Sequence, residues 1–113
     1  MPLVTVDYSD RLKDSLDREG LAKALRAELV ATAAARPEAC KTRYVRTESA
    51  GGGEPAVLHV SIALLPGRTE ETKAKLTENV LDLLRTHLGS GAEPLHASAE
   101  VRELDASYRQ FQI

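Results

Sequence analysis

Residues 57–88 read VLHVSIALLPGRTEETKAKLTENVLDLLRTHL and decide the fold. Apolar and β-branched residues at the start of this stretch predict a strand over Val57–Leu65, which Pro66-Gly67 ends. Thr69 is a good helix N-cap, and the two glutamates after it suit the first turn of a helix. The apolar residues that follow recur at helical spacing and are Leu76, Val80, Leu83, Leu84 and Leu88. The stretch therefore predicts a strand, a turn and an amphipathic helix.

Similar patterns on both sides of this stretch predict the remaining elements. They are strands over Leu3–Val6, Lys41–Thr47 and His96–Leu104 and a helix over about Asp17–Ala34. In this interpretation Arg36-Pro37 ends the helix, because the residue before a proline avoids the helical region. The chain therefore has the order β-α-β, a link, and β-α-β again.

The order of elements indicates the fold class. Two β-α-β units, about residues 2–47 and 57–104, are joined by a glycine-rich link at about 48–56 and followed by a tail at 105–113. Two such units form a four-stranded mixed sheet with both helices on one face. We therefore expect a single α+β domain over residues 1–113, built as a two-layer α/β sandwich.

The sheet face opposite the helices has a distinctive composition. Val57, His59, Ser61 and Ala63 alternate with the more apolar positions of the third strand, and they are small or weakly polar, not densely charged. We therefore expect other subunits to cover at least part of this face. The tail Tyr108–Ile113 holds two of the four aromatic residues, which indicates either an interface or a tail folded onto its own subunit.

Length, charge and cysteine content exclude several classes of protein. The chain has 113 residues and a formal net charge of −2, which gives no field strong enough to attract nucleic acid. Cys40 is the only cysteine, which excludes an internal disulfide and a thiolate zinc cluster. No apolar run is long enough to span a bilayer, and the first residues lack the pattern of a signal peptide. We therefore expect a cytoplasmic protein that binds neither nucleic acid nor a membrane and has no metal site.

Pro2 is the first candidate for chemistry. If Met1 is removed during synthesis, as is normal before a small residue, Pro2 carries a free secondary amine. Burial and nearby cations would both lower the pKa of this amine towards neutrality, and such a base suits proton abstraction. Many chains begin with Met-Pro for no catalytic reason, but here the strand that starts at Leu3 would hold the amine rigidly.

Three cations are candidates for binding an anionic substrate. Arg68 lies at the predicted start of a helix, where its guanidinium and the free backbone N–H groups could bind a carboxylate or an enolate oxygen. The alternative is an exposed arginine paired with Glu70 or Glu71. Lys41 and Arg43 point to one side of the predicted second strand, which suits a dianionic substrate, although an ordinary solvated strand edge has the same pattern.

Short motifs in a fixed order carry a resemblance to a known family. They are Met1-Pro2, Ser9-Asp10, Ala31-Thr32, Lys41-Thr42-Arg43, Leu58–Ile62, Gly67-Arg68-Thr69 with Glu71, and Glu100–Asp105. No single motif is specific, but their order and spacing over the whole length are. By these residues the chain resembles the 5-carboxymethyl-2-hydroxymuconate isomerase family of the tautomerase superfamily.

The resemblance implies an assembly, an activity and roles for individual residues. It implies a tautomerase-like homotrimer that acts in homoprotocatechuate breakdown without a metal or an organic cofactor. Pro2 would move a proton along a 2-hydroxymuconate-type dienol to give the 2-oxo-ene isomer. Arg68 matches the family's arginine after the turn and would bind a carboxylate of this small substrate. Lys41 lies where the family usually has an arginine, and because lysine lacks the bidentate fork, either the substrate differs or Arg43 takes the role.

Two other functions stay open at this point. Lys41 favours a different keto–enol tautomerase on the same scaffold, acting for example on a phenylpyruvate-like enol. A non-catalytic domain that binds a small ligand is favoured if Met1 is retained, because the Pro2 nitrogen is then an amide without basicity.

Overall fold

The computed structural model describes residues 2–48, 53–89, 91 and 94–113. The strands are β1 (Leu3–Ser9), β2 (Lys41–Thr47), β3 (Ala56–Leu64) and β4 (Leu95–Glu103), and the helices are α1 (Arg18–Ala33) and α2 (Glu70–Leu88). Short 3₁₀ turns cover Asp10–Leu12 and Pro37–Ala39. All six predicted elements are therefore present, although β1 extends further than predicted. Residues 49–52 of the predicted glycine-rich link lie outside the described residues.

The four strands form one mixed sheet in the order β2-β1-β3-β4. β1 pairs in parallel with β2, and β3 pairs in parallel with β4. The two halves of the chain meet where β1 runs antiparallel to β3, with Val6 opposite Val60. The predicted α+β fold, a four-stranded mixed sheet with two helices, is confirmed.

One aliphatic core lies between the sheet and the two helices. Twelve large side chains are almost completely buried there, namely Val4, Val6, Leu21, Leu25, Leu29, Leu58, Val60, Ile62, Leu64, Leu76, Val80 and Leu84. Burying each such side chain contributes roughly 1.5–3 kcal/mol relative to leaving it exposed. This helix-covered face therefore supplies most of the stability of the chain. Neither helix in the described part of the chain is long and apolar enough to cross a membrane.

The opposite face of the sheet carries the alternate residues of the same strands, and we call it the open face. Its central row places Asp7 of β1 beside His59 of β3, and His59 beside Ser98 of β4. His59 is half-buried, and its Nδ1 lies 2.7 Å from the Ser98 Oγ. Val45 and Val57 are 45% and 40% exposed. The predicted alternation is confirmed, whereas coverage of this face by other subunits stays a prediction.

Helix α1 ends for a different reason than the sequence indicated. Its last helical residue is Ala33, and Ala34 takes a left-handed conformation with φ of 54°. The N–H of Ala35 then donates to the carbonyl of Leu29 at 3.2 Å, which closes the helix. The expectation that Arg36-Pro37 ends the helix is wrong, because Pro37 instead begins the 3₁₀ turn that leads into β2.

Candidate active site

Pro2 lies buried at the start of β1, beside a cavity. Its carbonyl accepts a hydrogen bond of 3.2 Å from the N–H of Lys41, so the parallel pairing of β1 and β2 fixes its position. The cavity has a volume of about 290 Å³, and its lining residues are Pro2, Ala34, Ala35, Arg36, Ala39, Leu65, Arg68 and Gln110. The structure therefore brings two of the predicted site residues, Pro2 and Arg68, to the same cavity.

Arg68 is half-buried and bonded to two backbone carbonyls. Its Nε and Nη2 donate to the carbonyl of Ala33 at 3.2 and 2.9 Å, and its Nη1 donates to the carbonyl of Leu65 at 3.4 Å. The alternative that Arg68 pairs with Glu70 is wrong, because the Glu70 carboxylate instead pairs with Lys73 Nζ at 2.7 Å. Bonds to described residues use three of the five guanidinium N–H groups, which leaves two for a ligand.

The turn before α2 holds Arg68 in place. Gly67 has φ of 125°, a conformation that residues with a Cβ rarely adopt, and its N–H donates to the Glu103 carboxylate at 3.2 Å. Thr69 is the N-cap of α2, as predicted, because its Oγ1 accepts from the N–H of Thr72 at 3.1 Å. Arg68 therefore stands between a bonded glycine and a bonded helix cap, which limits its backbone movement.

Lys41 and Arg43 lie elsewhere, on the open face of β2. Both are exposed and Thr42 between them is half-buried, so the predicted alternation is confirmed. Lys41 Nζ donates to the carbonyl of Glu38 at 3.0 Å, and Arg43 Nη2 donates to Thr5 Oγ1 at 3.4 Å. Neither residue lines the cavity beside Pro2 in a single chain.

Two polar residues that line the cavity were not predicted from the sequence. Arg36 lies in the loop between α1 and β2, and Gln110 lies in the tail. A loop and a tail have no periodicity that relates them to a distant site, so a sequence pattern gives no signal for either. Because Gln110 lines this cavity, at least this part of the tail folds onto its own subunit, although Phe111 is 83% exposed.

The other titratable groups near these elements have structural partners. Cys40 Sγ donates to the carbonyl of Arg36 at 3.5 Å, and burial raises the pKa of the Cys40 thiol. Tyr44 donates from its hydroxyl to the carbonyl of Arg18 at 2.6 Å, and burial raises the pKa of Tyr44 to about 12. Within the described ranges, no cluster of histidine, cysteine and acidic side chains could hold a metal ion.

Comparison with protein families gives one match over almost the whole chain. Residues 2–112 match the family model described as 5-carboxymethyl-2-hydroxymuconate isomerase. A search of curated proteins gives no match.

Comparison with solved structures gives similar folds. A 5-carboxymethyl-2-hydroxymuconate isomerase from Deinococcus radiodurans R1 superposes with a TM-score of 0.80 at 25% identity, over 98% of this chain and 90% of that chain. A fused 4-OT symmetric trimer superposes with a TM-score of 0.75 at 13% identity, over 97% and 93%. N1, a member of the cis-3-chloroacrylic acid dehalogenase family, superposes with a TM-score of 0.72 at 20% identity, over 90% and 74%. The last two likenesses concern the fold alone.

Proposed function

This chain belongs to the 5-carboxymethyl-2-hydroxymuconate isomerase family, and from that membership we propose that it converts a 2-hydroxymuconate-type dienol to its 2-oxo-ene isomer. The chain is an isomerase of the tautomerase type. The observation that supports this reaction is that Pro2 and Arg68 line one cavity. Homoprotocatechuate breakdown is the proposed metabolic context.

Pro2 is the proposed base and acid. Without Met1, its nitrogen is a secondary amine at a buried position, and burial together with the nearby Arg68 guanidinium favours the neutral form. The neutral nitrogen takes the proton from the 2-hydroxyl group, the carbonyl forms at carbon 2, and the conjugated double bonds shift. The protonated nitrogen then returns a proton to a distant carbon of the chain, so the reaction is an isomerisation without net gain or loss.

Arg68 is the proposed binding residue for one carboxylate of the substrate. Its two remaining N–H groups can donate to a carboxylate, while the bonds to Ala33 and Leu65 hold the guanidinium still. A fixed cation beside the dienol also stabilises the negative charge that develops as the proton leaves. Preorganisation of this kind costs no rearrangement during the reaction.

Lys41 and Arg43 have a proposed role only in an assembly. The fused 4-OT relative is a symmetric trimer, and we propose a homotrimer for this chain as well. In it, the exposed cations of β2 would face a site or an interface shared with a neighbouring subunit. Their exposure in a single chain is compatible with this arrangement.

A second candidate is a tautomerase of a phenylpyruvate-like enol, which has a single carboxylate. The observation that favours it is the position of Lys41, whose ammonium group is bonded to the carbonyl of Glu38 and lies outside the cavity. With Arg68 alone, one carboxylate would be bound. A ligand-binding domain without catalysis is the third possibility, and it requires that Met1 be retained.

The experiment combines intact mass with a ketonisation assay on 5-carboxymethyl-2-hydroxymuconate. We expect Met1 to be absent from natively expressed protein and Pro2→Ala to lower kcat/KM roughly 10²- to 10⁴-fold, the usual range for loss of a positioned proton-transfer group. Pro55→Ala is the matched control, since Pro55 is exposed and lies far from Pro2 in sequence. Retained Met1, or equal slow turnover by wild type and Pro2→Ala, would reject the proposal.

A further inference from the structure

The cavity beside Pro2 has two arginines among its lining residues and no acidic residue among them. Arg36 and Arg68 both line it, and the remaining described lining residues are proline, alanine, leucine and glutamine. A wall with two cations and no acidic residue favours an anionic occupant. Two acids lie just outside this lining. Glu38 lines a neighbouring cavity that shares Arg36, Ala39 and Gln110 with the first, and the Glu103 carboxylate accepts from the N–H of Gly67.

The two arginines differ in how many guanidinium N–H groups are already hydrogen-bonded to the protein. Arg68 is held by bonds to two carbonyls. Arg36 has an anchored backbone, because its carbonyl accepts from the N–H of Ala39 at 3.0 Å and from Cys40 Sγ at 3.5 Å. Its side chain, however, is 80% exposed, and its Nε lies 3.8 Å from the carboxylate of Glu38, whose side chain is 70% exposed. An exposed pair at this distance is weak, so a substrate carboxylate can displace it.

We propose that Arg36 is the second carboxylate-binding residue of this site and selects substrates with an anionic group at each end. This inference rests on the proposed function. One carboxylate binds at Arg68, the conjugated chain lies against Pro2, and the second carboxylate binds at Arg36, with the Gln110 amide as a neutral hydrogen-bonding group on the wall. The position of Lys41 is then no obstacle to a dianionic substrate, because the second cation comes from the loop before β2.

Two pairs of compounds that differ by one carboxylate test this inference. For turnover, 2-hydroxymuconate has two carboxylates and 2-hydroxy-2,4-pentadienoate has one on the same dienol. For binding without turnover, trans,trans-muconate has two carboxylates and sorbate has one, and titration calorimetry measures both. The second pair separates a failure of the catalytic proposal from a failure of the Arg36 proposal.

We expect Arg36→Gln to lower kcat/KM for 2-hydroxymuconate and the affinity for trans,trans-muconate by roughly tenfold to 100-fold, the loss of one hydrogen-bonded charge. The change in kcat/KM should lie mainly in KM. For the two monoacids, kcat/KM and affinity should stay within about twofold of wild type. Arg36→Lys should recover part of the loss. Arg85→Gln is the matched control, because Arg85 is an exposed arginine of α2 paired with Asp82.

Two outcomes would overturn the inference. One is an equal loss for diacids and monoacids in Arg36→Gln, and the other is no loss for either. If the wild type turns over neither 2-hydroxymuconate nor 2-hydroxy-2,4-pentadienoate, the proposed function fails. The comparison of trans,trans-muconate binding with sorbate binding then still tests the role of Arg36. Thermal unfolding of each variant checks that the fold is intact.

Discussion

The helix-covered face and the open face of the sheet are made from alternating residues of the same four strands, yet they differ in burial and chemistry. On β3, Val60 and Ile62 are completely buried beneath the helices, whereas His59 and Ser61 between them are half-buried. The first face is aliphatic, and the second mixes a carboxylate, an imidazole, hydroxyls and cations. The difference indicates that one face determines stability, and that the other is available for association. Substitutions at neighbouring positions on the two faces can test this division.

The largest expected effect is on the helix-covered face. Ile62→Ala removes a fully buried side chain and leaves a cavity, so we expect the free energy of unfolding to fall by about 2–5 kcal/mol. Ser61→Ala, one residue away on the open face, should change it by less than about 0.5 kcal/mol. Urea unfolding monitored by circular dichroism measures both. Similar losses at the two positions would show that the open face also contributes to the core.

An intermediate effect on stability is expected at Arg68, which lines the cavity and is bonded to the end of α1. Arg68→Gln removes two charge-assisted bonds to the Ala33 carbonyl, so we expect it to lower the free energy of unfolding by about 1.5–3 kcal/mol as well as to impair catalysis. Arg36→Gln should change stability by less than about 0.5 kcal/mol, since its side chain is exposed. The same unfolding series distinguishes them, and an unchanged midpoint for Arg68→Gln would contradict its structural role.

The smallest effect on the stability of a single chain is expected on the open face. A substitution there should instead change how subunits assemble. Val45→Asp places a carboxylate directly beside Asp7 in the β1–β2 register, a like-charge pair that costs a single chain less than about 1 kcal/mol. Burying two unpaired carboxylates beneath another subunit costs much more. Val45 is already exposed in one chain, so we expect a loss of the oligomer in analytical ultracentrifugation with little change in the helix content. Val30→Asp is the control, because Val30 is also an exposed valine but lies on α1, and it should leave the assembly intact. An unchanged oligomer in Val45→Asp would argue against assembly through this face.

The fold could be predicted from the sequence because each element carries its own local signal. The alternation in β3 and the apolar spacing of α2 depend on neighbouring residues, and the Thr69 cap lies beside the helix it starts. The end of α1 could not be predicted in the same way. A left-handed alanine is uncommon, and no feature of the sequence indicates that Ala34 adopts this conformation.

The site could be predicted only in part, because its residues come from separate segments. Pro2 and Arg68 were candidates from their own chemistry, the family resemblance gave them roles, and both line one cavity. Arg36 and Gln110 lie in a loop and a tail, and their proximity to Pro2 arises from the tertiary fold. The alternation of Lys41 and Arg43 was predicted correctly, but it did not reveal that an edge strand places them away from this cavity.

The bond from Arg68 to Ala33 has an electrostatic consequence for any substrate. The carbonyl of Ala33 belongs to the carboxyl end of α1, where the aligned peptide dipoles are equivalent to roughly half a negative charge. Arg68 neutralises that helix end before it meets a ligand, so a carboxylate beside it experiences much less than a full positive charge. Arg36 is likewise offset, by the Glu38 carboxylate 3.8 Å from its Nε. An anion therefore gains from both arginines mainly through close hydrogen bonds, and less through long-range attraction.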